Sequence, residues 1–257
     1  MPVTVIRSDT TVASYDTAEG DGAFTVASFL LASVKLRRDF SPFVRVGVVG
    51  NKEAAGITNL ATGGTLAVDV HPDVRLALFG GFALPVGSGG GDGPDPKVAG
   101  AVKSGVLARS AMDNAMFAVN DFTFFPGIDL AYVAHGLTVQ VEATMLSLIR
   151  VRGAAVQADT AKINFTSGLH VGYFFLPVLS LGGELRYQAW LSTPAPVAAD
   201  ITGDSRENVT FAVGPRLHIK LGKTTWTRPG ASYSRGLDLP MSKLAYNLFQ
   251  IDVPFVF

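Results

Sequence analysis

The sequence predicts an all-β fold: a single antiparallel up-and-down barrel that crosses a membrane with about twelve strands, one domain over residues 1–257. Three observations lead there. The 257 residues are 48% hydrophobic and 16% charged, against about 25% charged in soluble domains; yet no run approaches the ~18 apolar residues of a transmembrane helix. Long segments alternate apolar and polar residues, as a strand with one greasy and one mixed face must. The connections between them alternate short and long, the asymmetry of a membrane barrel with tight turns at one end.

The last strand shows the alternation most plainly. Phe249, Ile251, Val253, Phe255 and Phe257 share one face, and Gln250, Asp252, Pro254 and Val256 share the other. The same period runs through 137–152, 162–174, 179–192 and 208–221, segments of 13 to 16 residues. Globular strands run about 5–6 residues, whereas tilted membrane strands need ~9–11 in the hydrocarbon and more to clear it. Tracing back from the C-terminus gives strands near 2–14, 23–36, 43–50, 63–70, 73–85, 126–134, 137–151, 161–175, 179–192, 207–221, 225–236 and 244–257. The even number returns both termini to the short-turn end. The weakest members are the first strand, 63–70, and 225–236, which Arg228 and Pro229 interrupt.

Other classes lose support from what the chain lacks. With no cysteine, disulfides, thiolate catalysis and Cys-based zinc sites are excluded. Zero net charge and a pI near 6.9 argue against nucleic acid as a partner. The four histidines, His71, His135, His170 and His218, show no His-x-x-x-His spacing, and there is no Gly-x-Ser-x-Gly. The glycine-rich stretch 87–93 lacks the Lys-Ser/Thr ending of a phosphate loop. No enzyme activity, catalytic residue, cofactor or metal is expected. MPVTVIRSDT has neither a basic nor an apolar signal-peptide region, so the chain is expected to be a mature form with a start Met.

Residues 86–125 form the longest connection. They open on a flexible Gly/Pro segment and continue through Val98, Val102, Val106, Met112, Met116 and Val119, spaced roughly as one helix face, with Lys97, Lys103, Arg109 and Asp113 elsewhere on the wheel. A short amphipathic helix is expected. It either folds into the bore and narrows it, or lies extracellularly as a surface loop.

If the apolar face meets lipid, the other face lines the lumen. The lumen candidates are Arg45, Arg75, Glu142, Arg150, Lys162, His170, Glu184, Arg186, Arg216, His218, Lys220 and Asp252, with Lys35, Arg37, Asp69, Asp129, Arg152 and Arg228 beside them. Basic groups outnumber acidic ones, and the acidic surplus falls in loops at Asp16, Glu19, Asp21, Asp92, Asp95, Asp200, Asp204, Glu207 and Asp238. Two readings follow: a basic bore that favours anions, or charges paired across strands that tie the interior together. About twelve strands lie between the ~8 whose side chains fill a barrel and the ~16–18 that leave it open, so the pore is narrow or plugged. Phe255, Phe257, Tyr173, Phe174 and Trp226 are placed to form an aromatic girdle at the turn end.

The C-terminal strand ending on Phe257, with Phe255 and Val253 on the same face, resembles the assembly signal of the bacterial outer-membrane β-barrel superfamily. The long alternating strands and the turn–loop asymmetry extend that likeness over nearly the whole chain. The resemblance implies an integral outer-membrane protein with periplasmic termini, contacts with lipid and lipopolysaccharide, and recognition by the assembly machinery. Within the superfamily, FALPVGSGGG (82–91) is similar to the long-loop region of barrels for uptake of aromatic hydrocarbons, the phenol meta-pathway type. The expected function is a channel or uptake barrel passing small solutes, anionic or hydrophobic, through a narrow basic lumen. The alternatives are a non-conducting structural or assembly barrel whose loops dock partners, and a soluble all-β binding protein.

Overall fold

The computed structural model describes residues 3–17, 20–153 and 160–257. Its strands are β1 Val5–Asp16, β2 Gly22–Ser33, β3 Phe40–Gly50, β4 Ala55–Ile57, β5 Leu60–His71, β6 Val74–Leu84, β7 Asp121–Ala134, β8 Leu137–Arg150, β9 Ala161–Leu176, β10 Leu179–Trp190, β11 Glu207–Leu217, β12 Ile219–Lys220, β13 Trp226–Thr227, β14 Gly230–Gly236 and β15 Asn247–Val256. β4, β12 and β13 are short additions to neighbouring strands; the other twelve form the wall. Every neighbouring pair is antiparallel, and β15 closes on β1 through ten register pairs from Val5↔Val256 to Ser14↔Asn247. Beyond them Phe257 N donates to Thr4 O at 2.9 Å. Closure removes the unpaired strand edge that hydrocarbon cannot solvate.

The faces follow the sequence period. On β15, Phe249, Ile251, Phe255 and Phe257 are exposed on the outer surface, while Leu248, Gln250, Asp252 and Pro254 are buried inside. Leu130, Val141, Leu169, Leu185 and Val213 continue the outer apolar belt on β7 to β11. The β7–β8 turn is two residues, His135 at φ 51° and Gly136 at φ 80°, the doubly left-handed geometry that matches strand twist.

Three strands begin earlier than expected. β3 starts at Phe40 and β5 at Leu60. β7 starts at Asp121 rather than 126, which shortens the long connection to 85–120. The reason is the run Phe122–Phe125, whose alternation pairs Phe122 with Ile149 and Thr123 with Ala83. The β7–β8 ladder breaks after Phe124 and resumes at Gly127, around Pro126, which has no N–H to donate. Glu19, the start of the first predicted strand at residue 2, and residues 154–159 of the connection before β9 lie outside the described residues.

The long connection folds into the bore. Its helix α1, Pro96–Ser104, starts where Asp95 accepts from Lys97 N and Val98 N, with proline at the first position. A 3₁₀ turn at Leu107–Arg109 and the short helix α2, Asn114–Phe117, follow. Val102, Ala108, Ala111, Ala115, Met116 and Phe117 pack on wall residues Ala13, Ala27, Ala61, Ala83, Phe29, Val49, Leu146, Leu148 and Leu248. The principal apolar core therefore lies inside the barrel. Wall alanines leave space for the plug, and Leu146 and Leu148 face inward because the plug covers them.

The faces predict a one-residue parity test. Val141→Arg, on the lipid side of β8, should destabilise the barrel by about 2–4 kcal/mol near the midplane, against about 1 kcal/mol or less for Thr138→Arg on the lumen side. Urea midpoints for folding into vesicles measure both.

Candidate functional site

The plug is held by a partly buried ion-pair chain that runs from wall to wall. Arg45 on β3 donates to Asp113 of the plug in parallel, Nη1 to Oδ1 at 2.7 Å and Nη2 to Oδ2 at 2.9 Å. Arg109, also on the plug, donates Nε to Asp113 Oδ2 at 2.6 Å and Nη1 to Asp9 Oδ1 on β1 at 2.7 Å. The Phe29 ring lies beside both guanidinium groups, its centre 4.4 Å from Arg45 Cζ and 5.1 Å from Arg109 Cζ. Burial alone would raise the Asp113 carboxyl, but Arg45 and Arg109 outweigh it and hold it well below the usual carboxylate range.

Neutral bonds add to this chain. Asn59 Nδ2 donates to Ala115 O and Ala118 O, both at 2.9 Å. Tyr246 donates to Leu107 O at 2.6 Å, Asn114 donates to Asn164 Oδ1 at 3.1 Å, and Thr25 bonds Ser104 at 2.9 Å. These bonds tie the plug to β2, β9 and the segments just before β5 and β15, although Asn114 Oδ1 is buried and accepts no hydrogen bond among the described residues.

Beneath the plug, toward the turn end, the bore is unfilled. A chamber of about 630 Å³ is lined by plug residues Met112, Asp113 and Met116 and by Arg45, Phe43, Phe79, Phe125, Asp129, Glu142 and Leu146 of the wall. A vestibule of about 650 Å³ is lined by Arg75, His170, Arg216, His218, Arg228, Ser180 and Asp252. The two share Arg7, Glu184, Arg186 and Gln250. Among the vestibule's glycines, Gly172 and Gly182 give the His170 ring room to lie along the wall, and Gly214 lets β14 approach β11 closely. At Gly230 a Cβ would lie 2.9 Å from Asp252 Oδ1 and 3.1 Å from Arg216 Cζ; glycine makes room for the bidentate Arg216–Asp252 pair, at 2.8 and 2.9 Å.

The structure brings nine of the twelve lumen candidates to these cavities: Arg45, Arg75, Glu142, His170, Glu184, Arg186, Arg216, His218 and Asp252. Arg150 and Lys162 instead converge on buried Asp121, each at 2.6 Å. Lys220 lies in the β12–β13 hairpin, its ammonium 5.8 Å over the Trp226 ring, and lines neither cavity. Phe174, expected in the girdle, lines the vestibule with its ring 4.4 Å from that of His218, because it follows His170 and Gly172 on the lumen face of β9. His218 also bonds Ser180 Oγ through Nε2 at 2.9 Å.

Pairing is widespread: Arg186 with Glu184 at 2.7 Å, Arg75 with Asp69 at 3.5 Å and Arg7 with Asp252 at 3.4 Å. The vestibule still carries five arginines against Glu184 and Asp252. Sequence reasoning missed Arg7, Asp9, Arg109, Asp113 and Asp121. The alternation of Arg7, Asp9 and Thr11, and the i,i+4 spacing of Arg109 and Asp113, were the available signals.

No protein-family model and no curated protein sequence matches the chain. Solved structures do. The COG4313 outer membrane channel from Pseudomonas putida F1 aligns with a TM-score of 0.60 at 12% identity, over 100% of this chain and 96% of that one. The NanC porin aligns at 0.57 and 8% identity over 96% and 98%, and the KdgM porin at 0.55 and 13% over 98% and 99%. The chain thus has the outer-membrane β-barrel fold shared by porins and channels.

Asp113→Asn removes the carboxylate between two arginines. Breaking a buried pair of this kind costs about 3–5 kcal/mol, and the loss falls on the plug rather than on the closed wall. Larger, noisier current steps in planar bilayers are expected, with heat-modifiable gel migration retained. The folded carboxyl lies below its unfolded value of about 3.9, so its contribution is complete above about pH 5 and lost only as pH falls through the folded value. Loosening of the plug in the unaltered protein, read as new proteolytic cleavage within residues 85–120, should therefore begin only well below about pH 5.

Proposed function

We propose that the protein is a narrow diffusion channel of the bacterial outer membrane that passes small solutes past a fixed plug. The single observation that carries this reading is the unfilled bore beneath the plug, two adjoining cavities of about 630 and 650 Å³ inside a closed wall. Twelve strands enclose more space than their own side chains fill, unlike eight, and the plug occupies only the loop-end half of it. Glycines in the vestibule let His170, Arg216 and Asp252 lie along the wall. In this reading both termini and the short turns are periplasmic, the apolar belt meets lipid and lipopolysaccharide, and the Phe257 end is the assembly signal.

The vestibule gives the finer expectation. Its five arginines exceed its acidic groups, and Arg228 has no ion pair among the described residues. Fixed positive charge at a narrow mouth raises the local concentration of anions. The KdgM porin has been solved in complex with oligogalacturonate, and passage of small anionic solutes is the corresponding reading for this chain. The seated plug favours a second reading, a non-conducting barrel.

Purified protein in planar bilayers separates these readings. Small, resolvable current steps with an anion-preferring reversal potential in a potassium chloride gradient are expected. Arg228→Glu should move that reversal potential toward cation preference without altering heat-modifiable migration. The absence of any resolvable current leaves the non-conducting barrel.

A further inference from the structure

The chamber beneath the plug differs from the vestibule in its chemistry. Three of its wall residues are phenylalanines whose rings lie over glycines of the next strand. A Cβ at Gly63 would sit 2.8 Å from Phe43 Cζ, and one at Gly81 would sit 2.9 Å from Phe125 Cζ; Phe79 covers Gly127 in the same way. The glycines let the rings lie along the wall, where all three line the cavity, Phe43 and Phe125 having centroids 6.4 Å apart at a 30° tilt. Met112, Met116, Leu31 and Leu146 add apolar surface.

The chamber lining holds four arginines and four carboxylates, equal in number but not paired off with one another. Arg45 and Arg109 are committed to Asp113 and Asp9, Arg186 to Glu184, and Arg7 to Asp252. Asp129 and Glu142 remain. They face each other directly across β7 and β8, and among the described residues neither has a cationic partner within 4.0 Å. Gln140 donates to Asp129 Oδ2 at 2.6 Å, while Asp129 Oδ1 is shut off from solvent and accepts no hydrogen bond. Like charges directly opposite each other destabilise a sheet. A cation brought in from outside relieves that repulsion, and aromatic faces beside it favour an ammonium over a strongly hydrated metal ion.

We propose that the chamber binds a small aromatic ammonium ion, its ring against Phe43, Phe79 and Phe125 and its ammonium between Asp129 and Glu142. The site rests on the channel reading only for the ligand's route and not on the anion preference of the vestibule; binding itself does not require conduction.

Calorimetric titration of the detergent-solubilised full chain tests this with three probes of one shape: phenethylammonium, phenethyl alcohol and phenylacetate. Phenethylammonium should bind at least tenfold more tightly than the alcohol, and phenylacetate more weakly than either. The double substitution Asp129→Asn, Glu142→Gln should remove the advantage of the ammonium and leave the alcohol unchanged. Equal binding of ammonium and alcohol overturns the proposal, as does a calcium chloride signal with none from phenethylammonium. The probe comparison on the unaltered protein decides the matter even where the double variant does not fold. Ammonium binding without bilayer current would remove the channel reading and keep this site; current without ammonium binding would do the reverse.

Discussion

In hydrocarbon an unpaired backbone N–H or C=O has no water to turn to, and each costs several kcal/mol. The pairing of β1 with β15 is the contact that answers this constraint, since it converts a long sheet with two raw edges into a closed wall. The other features depend on that closure. With no edge, one face of each wall strand must meet lipid and the other must enclose a lumen. The inner face is then free to carry the arginines and carboxylates that lipid would not accept.

A twelve-stranded wall encloses more space than its own side chains fill, and the chain uses a piece of itself to occupy the loop-end half. The plug combines an apolar contact, where Val102, Met116 and Phe117 meet wall alanines and Phe29, with a charged one, where Arg109 and Asp113 sit between Asp9 and Arg45. Apolar burial alone would tolerate several registers of the plug. The bidentate Arg45–Asp113 geometry admits one. In the turn-end half, glycines let His170, Arg216 and Asp252 lie along the wall.

The fold was largely legible because the period-two pattern is a direct consequence of strand geometry, and the alternation of turn and loop lengths sets its direction. The twelve wall strands, the short turns, the outward face of β15 and the apolar helix face at Val102 and Met116 could all be read this way. The start of β7 could not, since Pro126 conceals the alternation of Phe122 to Phe125. The candidate site was legible by face and not by partner. Arg150 and Lys162 do point inward, but their destination, Asp121, was hidden in what read as a loop. Phe43, Phe79 and Phe125 looked like ordinary inward aromatics, because the glycines that turn them into a panel lie on neighbouring strands.

The sequence by itself determined which residues face lipid and which face the lumen, because side-chain alternation is local and needs no knowledge of what packs where. It also determined that a long segment must be placed somewhere, and that this segment has an apolar face. Only the tertiary structure decided that the segment enters the bore, that nearly every lumen arginine is committed to a carboxylate, and that Asp129 and Glu142 are left facing each other beside three aromatic rings. Those outcomes depend on register between strands and on contacts across the barrel, between residues as far apart as Leu107 and Tyr246, 139 positions along the chain. Pairings at that range are set by closure of the wall and leave no periodic trace in the chain.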